Sequence, residues 1–190
     1  MLINNFFKFI IILFIFSCQP IEKIDGVFFD YSQLAKLSFT ANDKKVNNLY
    51  ESKYDDNYID YTLDIPPYIY LEKWINNNIV IFGNENYLEI NVIDSSLKKS
   101  EIINNEVKKY KEKIIFLYEI SYLVEFVLYD DNKSILASTI VEVSRTTTSG
   151  KYISIQESEK IIDYLIFQCL KDFSDKADEL LKIHLKNFMI

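Results

Sequence analysis

Glycine and proline are scarce in this sequence, three of each among 190 residues, and histidine occurs once. So few glycines exclude a loop that cradles phosphate, and so few glycines and prolines exclude a low-complexity linker protein. One histidine excludes a multi-histidine metal centre. Two cysteines, Cys18 and Cys169, exclude a disulfide framework and a four-cysteine zinc site. Arg145 is the only arginine among 21 basic residues. Acidic residues outnumber basic ones, and the formal net charge of −7 excludes a sequence-independent hold on nucleic acid or on an anionic membrane face. There is no Gly-x-Ser-x-Gly elbow and no His-Glu-x-x-His pattern. The chain therefore reads as a non-enzyme that needs no cofactor and no metal.

What is plentiful is apolar. The chain is 49% hydrophobic and 15% aromatic, enough to build a core and too much for a disordered protein. Its length suits one domain with an appendage.

The appendage is N-terminal. Lys8 is followed by an uninterrupted apolar run from Phe9 to Phe16, then Ser17 and Cys18. A short basic start, a brief apolar stretch and a small residue before the cut are the marks of a secretory signal. The run is too short to span a bilayer, which needs about 20 apolar residues. Ile15-Phe16-Ser17-Cys18 resembles the bacterial lipobox, in which the cysteine is cut free and lipidated; Phe16 departs from the small or aliphatic residue usual there. Residues 1–17 are then a lipoprotein signal, 18–26 a lipidated Cys18 and its tether, and 27–190 one domain. Several acyl chains, at about 0.8 kcal/mol per buried CH₂, anchor where one is marginal. Gln19 in place of an acid after the cysteine leans toward the outer membrane. Losing residues 1–17 removes one lysine and no acid, leaving a charge of −8.

Along the domain, Ala35, Leu37 and Phe39 alternate with polar residues as in a half-buried strand, and 42–64 reads as a long polar connection. Its Asp55, Asp56, Asn57 and Asp60 lack calcium-loop spacing and read as a solvated acidic loop. Pro66-Pro67 opens a helix over 67–82, stopped by Gly83; the β-branched Ile79-Val80-Ile81 argues instead for a shorter helix and a strand. Trp74 is its core anchor. Leu88, Ile90 and Val92 mark a second strand that runs on toward Ile102, and 104–113 reads as an exposed hairpin end. Every even position from Ile114 to Leu128 is apolar, so a third strand of roughly 50 Å with a bend or bulge follows. Asp130 to Lys133 make a turn, and Ile135, Ala137, Val141 and Val143 form the buried face of a fourth strand. Ser154 to Glu157 is a capping box for a long helix whose stripe is Ile162, Ile166, Cys169, Phe173, Ala177, Leu180, His184 and Phe188. The expected fold is α+β: a two-layer sandwich in which a four-stranded mixed sheet carries two helices on one face.

Three features bear on function. His184 reads as a partly buried residue on the apolar stripe. Arg145, retained where lysine dominates, points to planar bidentate geometry, either in a structural salt bridge or for a carboxylate or lipid phosphate. Leu117, Leu123 and Val127, on the odd face of the third strand, are more apolar than a wet surface needs and suggest a partner surface.

From about Ala35 onward the chain resembles a family of small alphaproteobacterial lipoproteins. The residues that carry this are Pro66-Pro67 with Trp74, Tyr118-Glu119, Leu123, Val124-Glu125, Phe126, Ser144-Arg145-Thr146 and the long last helix. The element order also resembles the lipopolysaccharide-assembly lipoprotein and the auxiliary lipoproteins of lipid-trafficking ABC systems. The resemblance implies a non-catalytic envelope component, anchored by lipid and facing the periplasm, that binds a protein or lipid partner in assembly or lipid transport. The acidic balance departs from a binder of phosphate-rich lipid. The competing readings are a small membrane-tethered hydrolase or transferase around His184 or the 42–64 loop, and a passive structural lipoprotein.

Overall fold

The computed structural model describes residues 29–104 and 113–190. The signal segment, Cys18, the tether and most of the 104–113 hairpin end lie outside the described residues. The element order is β1 (Leu37–Phe39), β2 (Asp43–Asn48), α1 (Pro67–Asn78), β3 (Ile79–Ile81), β4 (Tyr87–Asp94), β5 (Leu97–Ile103), β6 (Ile114–Tyr129), β7 (Ile135–Gly150) and α2 (Ile155–His184). The fold is α+β, as the patterning predicts.

The sheet has five strands rather than four. β6 is its centre. β7 pairs with it antiparallel from Ile115↔Gly150 to Tyr129↔Ile135. On the other side β4 covers the second half of β6 and β5 the first, also antiparallel. Residues 87–103 are thus one long ribbon, broken by a register shift between Val92 and Asp94. The second strand does run on to Ile103, with the irregularity the length demanded lying in it and at the Leu128/Tyr129 end of the β6–β7 pairing. Outside β4 lies β2, parallel to it.

Two expectations fail in the first half. The strand at 37–39 is not part of the main sheet; it pairs parallel with β3 in a two-stranded ribbon of its own. The first strand of the main sheet, β2, lies inside the stretch read as a connection. Asp-Lys-Lys-Val-Asn-Asn has one apolar residue, and the Lys44 stem does the work of a second: it is half-buried and its Nζ donates to Ile75 O and Ile79 O at 3.1 and 2.7 Å. The helix from Pro67 ends at Asn78, not at residue 82. Its Asn78 Nδ2 turns back to the carbonyls of Tyr31, Leu34 and Ala35, and the β-branched run takes up the strand it favours. Gly83, with φ +148°, is therefore no helix stop. It lets the chain pass the link between β1 and β2 closely, since a Cβ there would sit 3.3 Å from Ala41 N.

Both helices lie on the even face of β6. Tyr118, Ile120, Tyr122, Val124, Phe126 and Leu128 are fully buried beneath them. The Tyr122 hydroxyl donates to Pro67 O at 3.2 Å, joining sheet to α1. α2 begins with the expected capping box: Ser154 Oγ accepts the Glu157 N–H at 3.2 Å, and Glu157 Oε2 accepts the Ser154 N–H at 3.0 Å. Its thirty residues span about 45 Å. The stripe is as read through Ala177 and then moves to Leu181 and Leu185, both fully buried. His184 is exposed, contrary to the reading of it as partly buried, because spacing by four from Ala177 continues through 181 and 185 and turns residue 184 outward. Among the described residues no helix is long and apolar enough to cross a membrane.

Candidate functional site: the open face of the sheet

With both helices on one side, the odd positions of β6 form a face that no element of the described residues covers. Leu117 and Leu123 are half-buried there, and Val127, 3% exposed, is its floor between Glu89 of β4 and Ser138 of β7. Two residues that periodicity does not single out join them. Ile140 of β7 stands opposite Glu125 and is 53% exposed, and the β4 irregularity leaves Ile93 exposed beside Leu123.

The polar residues of this face are tied together across strands. Asn47 Nδ2 donates to Glu89 Oε1 and, at 2.9 Å, to Asn91 Oδ1; Asn91 Nδ2 donates to Glu125 Oε2 at 3.1 Å. The ladder crosses β2, β4 and β6 and fixes their side chains before anything binds. Toward β5, Lys98 Nζ lies 3.7 Å from Glu119. Glu142 of β7, opposite Leu123, is exposed, and its backbone carbonyl accepts from Lys176 Nζ at 2.7 Å. Along β6 the face thus alternates apolar and polar, Leu117, Leu123 and Val127 being separated by Glu119, Ser121 and Glu125, with Glu89 and Glu142 beside them against Lys45 and Lys98.

Arg145 is not on this face. It pairs with Ile120 on the helix side, and its Nη1 donates to Asp172 Oδ2 of α2. Both side chains are about two-fifths exposed, so water screens the pair. Beyond β2, the 42–64 stretch crosses to the outer edge of β5, where Ile59 N donates to Leu97 O at 2.9 Å and Lys99 N to Asn57 O at 2.7 Å. Asp60 is buried, its Oδ2 accepts from the Tyr50 hydroxyl at 3.0 Å, and burial together with this carboxylate pushes the Tyr50 phenol up. Among the described residues no three His, Cys, Asp or Glu side chains come together as a metal site. His184, at the last residue of α2, is exposed, so no buried polar constellation forms around it.

No protein-family model matches the chain, and no curated protein does. Solved structures overlap its fold, among them three bacterial proteins. A minor lipoprotein from Acinetobacter baumannii is 10% identical, with a TM-score of 0.41 over 80% of this chain and 98% of that one. The rare lipoprotein B from Shewanella oneidensis is 15% identical, with a TM-score of 0.36 over 75% of this chain and 98% of that one. A neuraminyllactose-binding hemagglutinin homolog from Helicobacter pylori is 13% identical, with a TM-score of 0.41 over 85% of this chain and 97% of that one. These are loose likenesses of shape, and the functional reading rests on this chain's own residues.

Proposed function

We propose that the protein is a non-catalytic lipoprotein of the cell envelope, held by a lipidated Cys18 at the periplasmic side of the outer membrane, which docks another protein on its open sheet face. The observation that carries the reading is that face: Leu117, Leu123, Ile93 and Ile140, partly or largely open to solvent and interspersed with glutamates, on a sheet whose other side holds the core. Its mixture of apolar and polar side chains is that of a non-obligate protein interface. Four glutamates on it disfavour anionic lipid and select a partner with basic residues.

The test places a photo-crosslinking amino acid at Ile140 in the full chain in living cells, with Tyr164, exposed on the outer side of α2, as control. The reading expects one defined protein adduct from position 140, none from 164, and loss of that adduct in a Leu123→Glu variant that still folds. Equal adducts from both positions refute the docking face. Labelled palmitate entering the chain as well after Cys18→Ala as before refutes the anchor.

A further inference from the structure

At the turn end of the open face the sheet closes into a cleft of about 570 Å³. Its floor is Tyr87 of β4 beside Tyr129 of β6, directly opposite each other in register, with ring centroids 6.3 Å apart and planes at 38°. Glu89, two residues along β4 and opposite Val127, is on the same face, close enough for its carboxylate to act on both phenols and hydrogen-bonded to Asn47 of the amide ladder. Burial, and after it the Glu89 carboxylate, raises the pKa of both phenols. The far wall is the β6–β7 turn, held by Asp130 Oδ1, which accepts the N–H groups of Asn132 and Ser134 at 2.9 and 2.7 Å.

The lining carries four carboxylates, Asp43, Glu89, Asp130 and Asp131, against two ammonium groups, Lys45 and Lys133. No three of the acids converge as they would on a metal ion. The negative potential is therefore spread over a volume of small-ligand size that also presents two aromatic rings. An organic ammonium suits that combination, because it is attracted to ring faces and pairs with dispersed carboxylates. The two lysines on the rim supply a place for an anionic group joined to it.

We propose that this cleft binds a zwitterionic head group, an alkylammonium seated at Tyr87, Tyr129 and Glu89 with an attached phosphate toward Lys45 and Lys133. The cleft shares Glu89 and Lys45 with the open face but none of Leu117, Leu123, Ile93 and Ile140, so variants at those apolar residues let either proposal fail alone. The same chemistry comes from a free phosphoethanolamine or from the head group of a lipid.

The test titrates the full chain, in a maltoside detergent, with phosphoethanolamine, ethanolamine and inorganic phosphate, following tyrosine ring resonances by NMR. Phosphoethanolamine is expected to saturate and shift the Tyr87 and Tyr129 signals, ethanolamine to bind more weakly, and phosphate to leave them unmoved. Tyr129→Leu and Glu89→Gln are each expected to weaken binding about three-fold or more, and Tyr129→Phe to preserve it. A short-chain phosphatidylethanolamine below its micellar concentration separates the sources: tighter binding than glycerophosphoethanolamine assigns the site to lipid, equal binding to the free head group. No saturable shift with either, or phosphate acting as well as phosphoethanolamine, overturns the proposal.

Discussion

Trp74 of α1 and Phe173 of α2 meet edge to face, with ring centroids 5.6 Å apart and planes at 90°. Tyr122 of β6 comes to 5.9 Å from the same Phe173 ring, so one phenylalanine joins both helices to the central strand. All three side chains are fully buried. Truncating the middle one opens a cavity that neither helix can close without leaving the sheet. Phe173→Ala is expected to cost about 3–5 kcal/mol, and Phe173→Leu less. Because Trp74 is the only tryptophan, urea unfolding followed by its fluorescence reads the change directly. A loss under about 1 kcal/mol for the alanine variant would show that this junction does not hold the layers together.

Cys169 lies in the same core, fully buried and free. Burial pushes its thiol up to about 12, helped by Asp172 and opposed by Arg145. The thiolate is the reactive species, so at pH 8 the native thiol is almost wholly protonated as well as screened from reagent. It is expected to resist maleimide in the folded protein and to react at once in urea. Stoichiometric labelling of the native protein at pH 8 would contradict both the burial and the shift.

How much of this was legible varies with how far a pattern repeats. β6 was readable because eight even positions in a row are apolar, and α2 because its capping box sits ahead of a stripe with helical spacing. β2 was not, since Lys44 fills a core-facing position that a period-two reading reserves for an apolar residue. β3 was lost to a conflict between a helix in progress and three residues that prefer a strand, decided by pairing with Leu37–Phe39 that no local pattern reveals. For the open face, Leu117, Leu123 and Val127 stood out against a polar alternation, whereas Ile93 is exposed only through a register shift. The tyrosine cleft draws on three distant segments, 42–45, 86–89 and 129–133, and nothing in any one of them announces it.

The fourteen tyrosines give the fold an alkaline limit. Burial raises Tyr31 and Tyr68 to about 12, with Tyr70 and Glu72 respectively adding to the effect, and pushes Tyr50 and Tyr122 higher still. Each is neutral in the fold at a pH where the unfolded chain, titrating near 10, already ionises. The unfolded state then binds fewer protons, so stability is complete below pH 10 and falls as pH rises from 10 toward 12. Phenolate absorbance is expected to rise in two stages, a first from exposed tyrosines such as Tyr54 and a second that coincides with loss of the far-UV dichroism. A single smooth titration with the fold intact above pH 11 would contradict this.

Lys44 acts with the opposite sign. Its ammonium closes two carbonyls at the C-terminal end of α1, where the helix dipole favours a cation, yet burial lowers its pKa from the ordinary lysine value of 10.5. Lys44→Met keeps the apolar stem and leaves both carbonyls without that donor, which is expected to cost about 1–2 kcal/mol at pH 7. As pH climbs from neutrality toward 10.5, the unfolded chain holds the Lys44 proton longer than the native one does, so the native state of the parent protein gains relative to the methionine variant. Paired urea titrations at pH 7 and pH 9.5, in which tyrosine ionisation acts on parent and variant alike, are expected to show a wider gap at the higher pH. A gap that narrows would mean the ammonium is held more tightly in the fold than in water, and that the dipole of α1 outweighs the burial of the charge.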